Sequence, residues 1–440
     1  MKSLLLVLAL LAPAQSKAAD ARVAGLVAAL GDAANPQARA NAYNALWREK
    51  PSAAIPLLVE SLPRFDVQGQ QYGLWILQLY PLEDARAALH KLVLEHSALL
   101  QAGAAAKLLE QGEHEMLEPL VKAFARKEPT SEVRRAMLQH VFLVKEPRLT
   151  AAVRAWITPE TEAWLLGDVL YHLRSVGDPE ARAKAVELAA ATGLAPEARA
   201  VCAAFLLALG DDAQGRTLAE LLANDDGQLF SRLQRFFLGA PRLPEELVAA
   251  VAGIAERSSV PAYAQMALSV LGQHAGAKQI PVLERLLDSP NLLVAKSALE
   301  ALQKRGVSVP HDSLVRMLGA PEPLRALSAA DALRRIDDPS GFARVLEIVR
   351  AGGADKAEAV RVLAKFRRKE CLAPLVDALE DADAAVRMAA EQGLITLLPD
   401  LFPYRRFDLA TSGYSAQAAP AQRAAGAQKI RDWCTAHAKP

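Results

Sequence analysis

One helix-like spacing recurs along the chain at intervals of 30 to 34 residues. It is clearest in "DADAAVRMAAEQGL" at 381–394, where Ala390, Gly393 and Leu394 fall on one helix face. Stepping back from Leu394 in the same phase finds an apolar anchor in every interval. The twelve anchors are Leu46, Leu77, Leu108, Val141, Leu173, Leu206, Phe237, Leu271, Leu302, Leu333, Leu363 and Leu394. A near-fixed period of this size is typical of stacked supersecondary units.

The position four residues before the anchor is small in most units. These residues are Ala42, Gly73, Ala104, Cys202, Ala267, Ala298, Ala329, Ala359 and Ala390. Small side chains let two helices approach closely, and residues four apart lie on one face. We therefore expect each anchor helix to pack against the equivalent helix of the next unit.

A second amphipathic segment precedes each anchor helix. In four units it carries a proline 20 to 22 residues before the anchor, where a first helical turn tolerates it. These prolines are Pro56, Pro119, Pro281 and Pro374. Links such as "EDAD" and "DSPN" supply Asp and Asn caps, and no alternating strand pattern occurs. The predicted fold is all-α, an α-α superhelix of about twelve helical pairs over residues 22–397.

The composition limits the partners that the chain can attract. Hydrophobic residues make up 52% of the sequence but aromatic residues only 5%, which favours tightly packed helices of Leu, Ala and Val. The 51 basic residues nearly balance the 50 acidic ones. No strong global field is therefore expected to draw nucleic acid or an anionic membrane surface.

The N-terminus has the pattern of a secretory signal peptide. Lys2 precedes an apolar run that is too short for a stable membrane span, and small residues follow. We expect residues 1–18 to be removed near Ala18, no membrane insertion after signal removal, and a periplasmic or secreted protein. The alternative is a first core helix.

The segment "CLAPLVDALEDADAAVRMAAEQGL" resembles a HEAT repeat of the short kind also found in phycobilisome-lyase-type proteins. The resemblance covers residues from about 22 to 397 and implies a HEAT-repeat protein of the bacterial exported type. It implies that the second helix of each unit lines the concave side. It also implies a ladder in which the turn acid Asp383 bonds Arg387. Three further residues match the arginine position: Arg39, Arg134 and Arg199.

Residues 398–440 form a distinct C-terminal loop and capping helix. Pro399 and Pro403 break the repeat, and a helix is predicted from about Ala419 to Thr435. Its face of Ala427, Ile430 and Trp433 is expected to cap the last repeat, as solenoids require. Cys371 and Cys434 can pair if this tail folds back, or both can remain free, and Cys202 falls on a core position.

No motif in the sequence predicts catalysis, a metal or a cofactor. His114-Glu115 is one His-Glu pair, whereas deoxyhypusine hydroxylase, built from similar repeats, uses several such pairs to hold iron. "SGYS" at 412–415 lacks the Gly-x-Ser-x-Gly elbow. The basic clusters "KFRRKE" at 365–370 and "YRRFD" at 404–408 are interleaved with acids, so we interpret them as solvated loop charge.

The candidate docking residues come from the position two before each anchor, which should point away from the packed small residues. In order they are Asn44, Trp75, Ala106, Gln139, Tyr171, Ala204, Arg235, Ser269, Glu300, Asp331, Arg361 and Gln392. With Tyr72, one turn from Trp75, we select Trp75, Tyr171, Arg235 and Arg361 as concave-face partner-binding residues. The alternative for Trp75 and Tyr171 is that they fill gaps beside weak repeats.

The sequence therefore predicts an exported HEAT-repeat scaffold or adaptor that binds a protein partner on its concave face without catalysis. The alternative is a lyase-like or accessory HEAT protein that binds a small ligand or assists an enzyme. An apolar pocket with clustered polar residues would favour that alternative.

Overall fold

The computed structural model describes residues 20–142, 144–191, 193–307, 309–403, 407 and 409–437. Within these ranges every regular element is a helix and no strand occurs, which confirms the predicted all-α, α-α superhelix class. The predicted signal peptide and its cleavage near Ala18 lie outside the described residues. None of the described helices combines the length and apolar character needed to cross a bilayer.

The helices follow each other with short links. The first half of the chain contains α1 (20–30), α2 (Pro36–Glu49), α3 (Ala54–Ser61), α4 (Val67–Gln78), α5 (Leu82–Val93), α6 (Ala98–Glu110), α7 (Leu117–Ala125), α8 (Ser131–His140), α9 (Pro147–Arg154), α10 (Ala163–Val176), α11 (Ala181–Ala189), α12 (Pro196–Ala208) and α13 (Gly215–Leu222). The second half contains α14 (Gln228–Gly239), α15 (Glu245–Arg257), α16 (Pro261–His274), α17 (Ile280–Leu287), α18 (Leu292–Lys304), α19 (His311–Leu318), α20 (Pro323–Arg335), α21 (Gly341–Ala351), α22 (Lys356–Lys365), α23 (Leu372–Ala378), α24 (Ala384–Leu401), α25 (Leu409–Ser412) and α26 (Pro420–His437).

The described chain divides into two compact units. Unit 1 contains the described residues up to Leu221 together with Arg235–Leu243. Unit 2 contains Leu222–Gln234 and the described residues from Pro244 onward. Within unit 1, α4 contacts α6, α6 contacts α8, and α10 contacts α12; within unit 2, α16 contacts α18 and α22 contacts α24. Consecutive even-numbered helices therefore form a continuous layer in each unit, as expected for a HEAT-like repeat protein.

The predicted phase of the repeat is confirmed. All twelve anchors are buried, and each lies on an even-numbered helix or, for Val141, directly after one. The small residues four positions earlier are buried as well. A Cβ atom added to Gly73 would clash with Leu62 Cδ2, so a larger residue there would force its neighbour to shift. The small residues are thus the positions at which helices meet.

The polar links form helix caps, as predicted. The side-chain oxygen of Asn35 accepts from the backbone N–H of Ala38 at 3.0 Å, and that of Asp383 accepts from Ala385 at 2.8 Å. Such caps satisfy backbone donors that have no partner inside the helix. The prolines at 56, 119, 281 and 374 all lie in the first turn of their helices.

The predicted bond between Asp383 and Arg387 is wrong. Arg387 donates instead to the backbone oxygens of Asp381 and Ala382, each at 2.8 Å, and to that of Ala416 at 2.9 Å. After α24 the described residues continue into α25 and α26, and the tail supplies one acceptor through Ala416. The ladder interaction does occur at Arg39, which is buried and pairs with Asp66 of the next repeat at 3.0 Å.

The other two arginines of the predicted ladder behave differently. Arg134 donates to the backbone oxygen of Lys127 at 3.4 Å and lies over the Trp156 ring. Arg199 is exposed on α12. The sequence position alone therefore does not determine which acceptor each arginine finds.

The C-terminal helix covers the last pair of unit 2. α26 packs against α23 and buries Ala427 and Ile430, as predicted, whereas Trp433 is half-buried beside Phe402 at a centroid distance of 5.2 Å. α24 continues past Pro399 and ends at Leu401, between the two prolines predicted to break the repeat. A proline near a helix end removes one hydrogen bond only. The domain boundaries at 18, 22, 397 and 398 remain predictions.

The three cysteines are free and buried. Cys371 and Cys434 are therefore not paired, and Cys202 is a core residue as expected. Burial raises the pKa of the Cys202 thiol to about 12. These side chains contribute to packing as small apolar groups.

Candidate functional site

Most residues two positions before the anchors reach the surface. Asn44, Gln139, Glu300, Arg361 and Gln392 are exposed, and Trp75, Tyr171, Arg235, Ser269 and Asp331 are half-buried. Two residues contradict the prediction, because Ala106 and Ala204 are buried. A single methyl group is too short to reach past the larger side chains of the flanking helices. We call the surface that these even-numbered helices present in each unit the second-helix face.

Side chains bridge over α6, which carries Gly and Ala where other helices carry longer residues. A Cβ atom on Gly103 would lie 2.7 Å from Leu74 Cδ1 of α4 and 3.3 Å from His140 Cδ2 of α8. The amide of Gln71 on α4 donates to Gln139 Oε1 on α8. α4 and α8 therefore touch within unit 1 although α6 lies between them, because α6 carries only small side chains at this point.

An aromatic cluster lies on α2 and α4 of unit 1. The ring centroids of Tyr43 and Tyr72 are 4.8 Å apart, and those of Tyr72 and Trp75 are 5.8 Å apart. Trp75 also lies 6.5 Å from the His140 ring. Burial raises the pKa of Tyr43 above its usual value, with a smaller contribution from Tyr72. Tyr43, Tyr72 and Trp75 all remain partly accessible to solvent. Trp75 thus both packs and stays accessible, which combines the two alternatives of the sequence analysis.

A second cluster surrounds Asp168 on α10. Arg235 Nη1 lies 2.6 Å from Asp168 Oδ1, and Arg135 Nε lies 2.9 Å from Oδ2. The Arg235 guanidinium also lies 5.0 Å from the centroid of the Tyr171 ring. A Cβ atom on Gly167 would lie 2.9 Å from Arg235 Nη2, so glycine leaves the room that this guanidinium occupies. Aromatic and charged groups meet at this point of unit 1.

These residues line a cavity of about 300 Å³ in unit 1, which we call the arginine groove. Its lining consists of Arg135, Leu138, Gln139, Phe142, Asp168, Tyr171, His172 and Arg235. The Phe142 and Tyr171 rings stack with centroids 6.3 Å apart, and Phe142 is 45% exposed. Tyr171 and Arg235, both predicted as docking residues, are thus brought together, while Tyr72 and Trp75 lie in the aromatic cluster.

His172 is a lining residue that sequence reasoning missed. Its side chain is buried, and neither ring nitrogen has a hydrogen-bond partner within the protein. Burial lowers the pKa of His172 to about 4, so the imidazole is neutral near pH 7. The sequence feature that could have identified His172 is a polar residue directly before an anchor. In the following two repeats the same position is Phe205 and Phe236.

Two larger cavities lie on the second-helix face of unit 2. One of about 460 Å³ is lined by Arg361, Met388 and Gln392 among others, and one of about 470 Å³ by Leu293 and Asp331 among others. Most of the lining cations are paired with acids, and Lys296 is the exception within the described part of these two linings. Arg361 bonds Glu358 at 2.6 Å, Arg367 lies 3.2 Å from Asp400, and Lys365 lies 3.6 Å from Asp331.

Asp331 is the most connected acid of this face. Burial alone would raise its pKa, but Lys365, Arg334 and Arg335 together lower it below the usual value. Arg361, the one predicted docking residue in unit 2, remains half exposed beside this network. The charges of unit 2 are therefore largely neutralised within the unit.

The remaining candidates for chemistry do not converge. His114 and Glu115 lie in a single 3₁₀ turn before α7. Across the described ranges, no three His, Cys, Asp or Glu side chains are grouped so as to hold a metal ion. In the basic cluster at 365–370, Arg368 lies over the Phe342 ring at 5.3 Å. The cluster at 404–408 lies outside the described residues except Phe407, which packs on Trp433.

Comparison with known proteins gives structural similarities alone. No family model matches the chain, and no curated protein matches it. An engineered protein of known structure is 18% identical, with 86% of this chain and 98% of that chain covered and a TM-score of 0.25. Kap121p bound to Nup53p is 12% identical, with coverages of 96% and 56% and a TM-score of 0.39. Kap121p is 13% identical, with coverages of 88% and 49% and a TM-score of 0.29. The chain spans about half the length of these Kap121p chains.

Proposed function

We propose that this chain is a scaffold or adaptor that binds a protein partner on its second-helix face, without catalysis. The observation that carries the proposal is the set of partly exposed aromatic side chains on the even-numbered helices of unit 1. They are Tyr43, Trp47, Tyr72, Trp75, Trp164 and Tyr171, together with Phe142, which lies two residues after α8. Aromatic residues make up only 5% of the sequence, so their concentration on one surface needs a reason.

Aromatic and arginine side chains supply much of the free energy of protein–protein binding. Aromatic rings combine a large contact area with few rotatable bonds, and arginine adds a planar group with several hydrogen-bond donors; both dominate binding when buried near the centre of an interface. Trp75 and Tyr171 are each held by ring contacts, with Tyr72 and Phe142 respectively. Pre-positioned rings lose little conformational entropy on binding, which favours a protein partner.

Unit 2 offers a secondary contact on its own second-helix face. Leu293 and Met388 are about half exposed beside its two cavities, and Arg361 lies at the edge of one of them. Because most of the cations there already have acidic partners, they add less free energy on binding than unpaired cations would. We therefore assign the main contact to unit 1 and a supporting one to Arg361.

The alternative, a small-ligand or enzyme-accessory protein, has less support. The cavities described above are bordered by exposed charged side chains such as Arg361 and Arg135. Small-molecule sites usually bury most of their ligand in an apolar cleft. An open, charged and aromatic face favours an extended partner instead.

Export to the periplasm or exterior forms part of the proposal and depends on residues 1–18. Cleavage after Ala18 would give a mature chain that begins at Ala19. Intact-mass measurement of the protein recovered from an exported fraction tests this. A cell-retained protein that keeps residues 1–18 would contradict it.

The binding proposal is tested by capturing exported proteins on the immobilised full chain and measuring the affinity of the best candidate. We expect Trp75→Ala combined with Tyr171→Ala to weaken that affinity at least tenfold. The matched control is Leu94→Ala combined with Val186→Ala, since both side chains are exposed but lie at or on odd-numbered helices. Equal affinity of the aromatic variant and the control, with unchanged circular dichroism, would eliminate this face.

A further inference from the structure

The arginine groove holds more hydrogen-bond donors than the protein itself uses. Two guanidinium groups together carry about ten N–H donors, while one carboxylate lines the same groove. Arg235 Nη1 donates to Asp168 Oδ1 at 2.6 Å, but Arg235 Nε is buried and has no partner within the protein. Two cations against one acid also leave the lining with a net positive charge. An additional acceptor, and an anionic one, is therefore complementary to this groove.

Asp168 organises the two arginines without neutralising both. Its side chain is only 18% exposed, whereas those of Arg135 and Arg235 are 56% and 34% exposed. The carboxylate therefore lies deep, and the guanidinium groups extend from it toward solvent. Arginine can present two parallel donors to a second carboxylate in the same plane. The groove thus offers a preorganised pair of cations at its opening.

His172 adds an unsatisfied polar group to the wall. It is 2% exposed, and both of its ring nitrogens lack a hydrogen-bond partner within the protein. A buried polar group without a partner costs free energy that a phenylalanine or leucine at this position would avoid. In the next repeat the equivalent residue is Phe205, so the repeat pattern itself does not require a histidine. A bound group that accepts the imidazole N–H offsets this cost.

Two aromatic rings form a further wall of the groove. Phe142 and Tyr171 stack at 6.3 Å, and the Tyr171 ring also supports the Arg235 guanidinium at 5.0 Å. At about 300 Å³ the groove has room for one side chain and its flanking backbone. Its shape and chemistry therefore suit a short element of a larger partner.

We propose that the arginine groove is the anchor site for a glutamate or aspartate side chain of an acidic segment in the protein partner. This inference rests on the proposed function and specifies the chemistry of the partner. A polyphosphate chain is a poorer fit, because Asp168 lies at the base of the groove and the whole chain has a formal net charge of +1. Carboxylate recognition by paired arginines needs one local anion only.

The test uses the immobilised full chain and a displayed library of random twelve-residue peptides. We expect the peptides that the wild type selects to be enriched in Glu and Asp relative to the unselected library. A synthetic copy of the most enriched peptide should lose at least tenfold in affinity when its acidic residues are replaced by Gln or Asn. Arg135→Gln and Arg235→Gln in the protein should each weaken binding of the acidic peptide by a similar factor.

Two further variants separate binding from structure. Arg148→Gln is the matched control, since Arg148 is 59% exposed and pairs with Glu118 between odd-numbered helices, away from the groove. It should leave the affinity unchanged. His172→Leu should weaken binding of the acidic peptide while the thermal midpoint of the protein stays the same or rises, because an unpaired buried group has been removed. A merely structural role for His172 would give a lower midpoint instead.

The outcomes distinguish this inference from the proposed function. Peptides without acidic enrichment that bind through Trp75 and Tyr171 but tolerate Arg135→Gln and Arg235→Gln would overturn the acidic anchor and leave the scaffold proposal standing. If the wild type selects no peptide, the acidic anchor is overturned, and the scaffold proposal depends on the capture experiment described above. If it retains a random single-stranded oligonucleotide pool through the same arginines in place of peptides, both proposals fail, and the partner is a nucleic acid.

Discussion

Arg235 on α14 bonds Asp168 on α10 at 2.6 Å, although α12 lies between these helices in chain order. The residue of α12 equivalent to Arg235 is Ala204, which is buried. An alanine leaves open the path that a longer side chain would block. The same pattern occurs earlier in unit 1, where Gln71 reaches Gln139 past the small residues of α6. Small residues at this position therefore allow contacts that skip a repeat.

Replacing Asp168 with asparagine should destabilise unit 1. The change removes one acceptor charge from two ion pairs and leaves Arg135 and Arg235 facing each other, which should cost about 1–2 kcal/mol. Urea unfolding of the full chain, followed by circular dichroism, measures it. Glu118→Gln is the control, because its partner Arg148 is exposed and such surface pairs contribute little. An unchanged midpoint for Asp168→Asn would show that the bridge is not stabilising.

Overpacking at the meeting point of α22 and α24 should also lower stability. Ala390 is fully buried, and a Cβ atom on the neighbouring Gly393 would lie 2.9 Å from Ala364 Cβ. Ala390→Phe should therefore cost about 1–3 kcal/mol. Ile395→Phe on the same helix is the matched control, since Ile395 is about half exposed. If both variants melt like wild type, the phase assigned to this repeat is wrong.

Two buried histidines should make the protein sensitive to mild acid. Burial lowers the pKa of His140 and of His172 to about 4, against about 6.5 in the unfolded chain. The amide of Gln78 lies 3.2 Å from His140 Nδ1, where an N–H donor suits the neutral ring. Because the folded pKa is the lower one, the unfolded state binds more protons as the pH falls. The stability is therefore fully present above pH 6.5 and is lost progressively toward pH 4.

By pH 4 each histidine is expected to lower the free energy of unfolding by about 3 kcal/mol. Thermal midpoints recorded between pH 7 and pH 4 measure it. His172→Leu should flatten this dependence by roughly one histidine's share, while Phe205→Leu, at the equivalent position of the next repeat, should not, because it removes no titratable group. A wild type and a His172→Leu variant with parallel pH profiles would contradict the assignment.

The sequence was sufficient to predict the repeat pattern but not the side-chain contacts between different repeats. Anchors such as Leu77 and Leu302 were found because burial at a fixed phase leaves an apolar residue in every unit, and both are buried. The acceptor predicted for Arg387 is wrong, because two of its acceptors are backbone oxygens, which no side-chain pattern marks, and the third, that of Ala416, lies 29 residues away in the sequence. The position of a residue in the repeat predicts the helix face on which it lies but not its bonding partner. The partner depends on which neighbouring helices carry small side chains that leave space for a contact.

The candidate site was predicted in part for the same reason. Tyr171 and Arg235 were selected separately because of their phase, and the structure places them 5.0 Å apart over Asp168. Neither Asp168 nor His172 lies at the selected position, so both were missed. The available signal was the alanine-rich α12, whose residue Ala204 indicated that α10 and α14 can interact directly.

The final prediction concerns the cap formed by α26. Ile430 is fully buried against the last pair of unit 2, and Arg431 on the same helix bonds Glu380 at 3.0 Å. Ile430→Ala should cost about 2–5 kcal/mol, and because repeat units are coupled chiefly to their neighbours, the loss should appear first in α23, α24 and α26. Hydrogen exchange followed by mass spectrometry should therefore show faster exchange in these helices and unchanged exchange in α2 to α10. Lys429→Ala, an exposed neighbour, is the control and should match wild type. Faster exchange spread evenly over all helices would mean that the chain unfolds as one unit and that α26 is not a local cap.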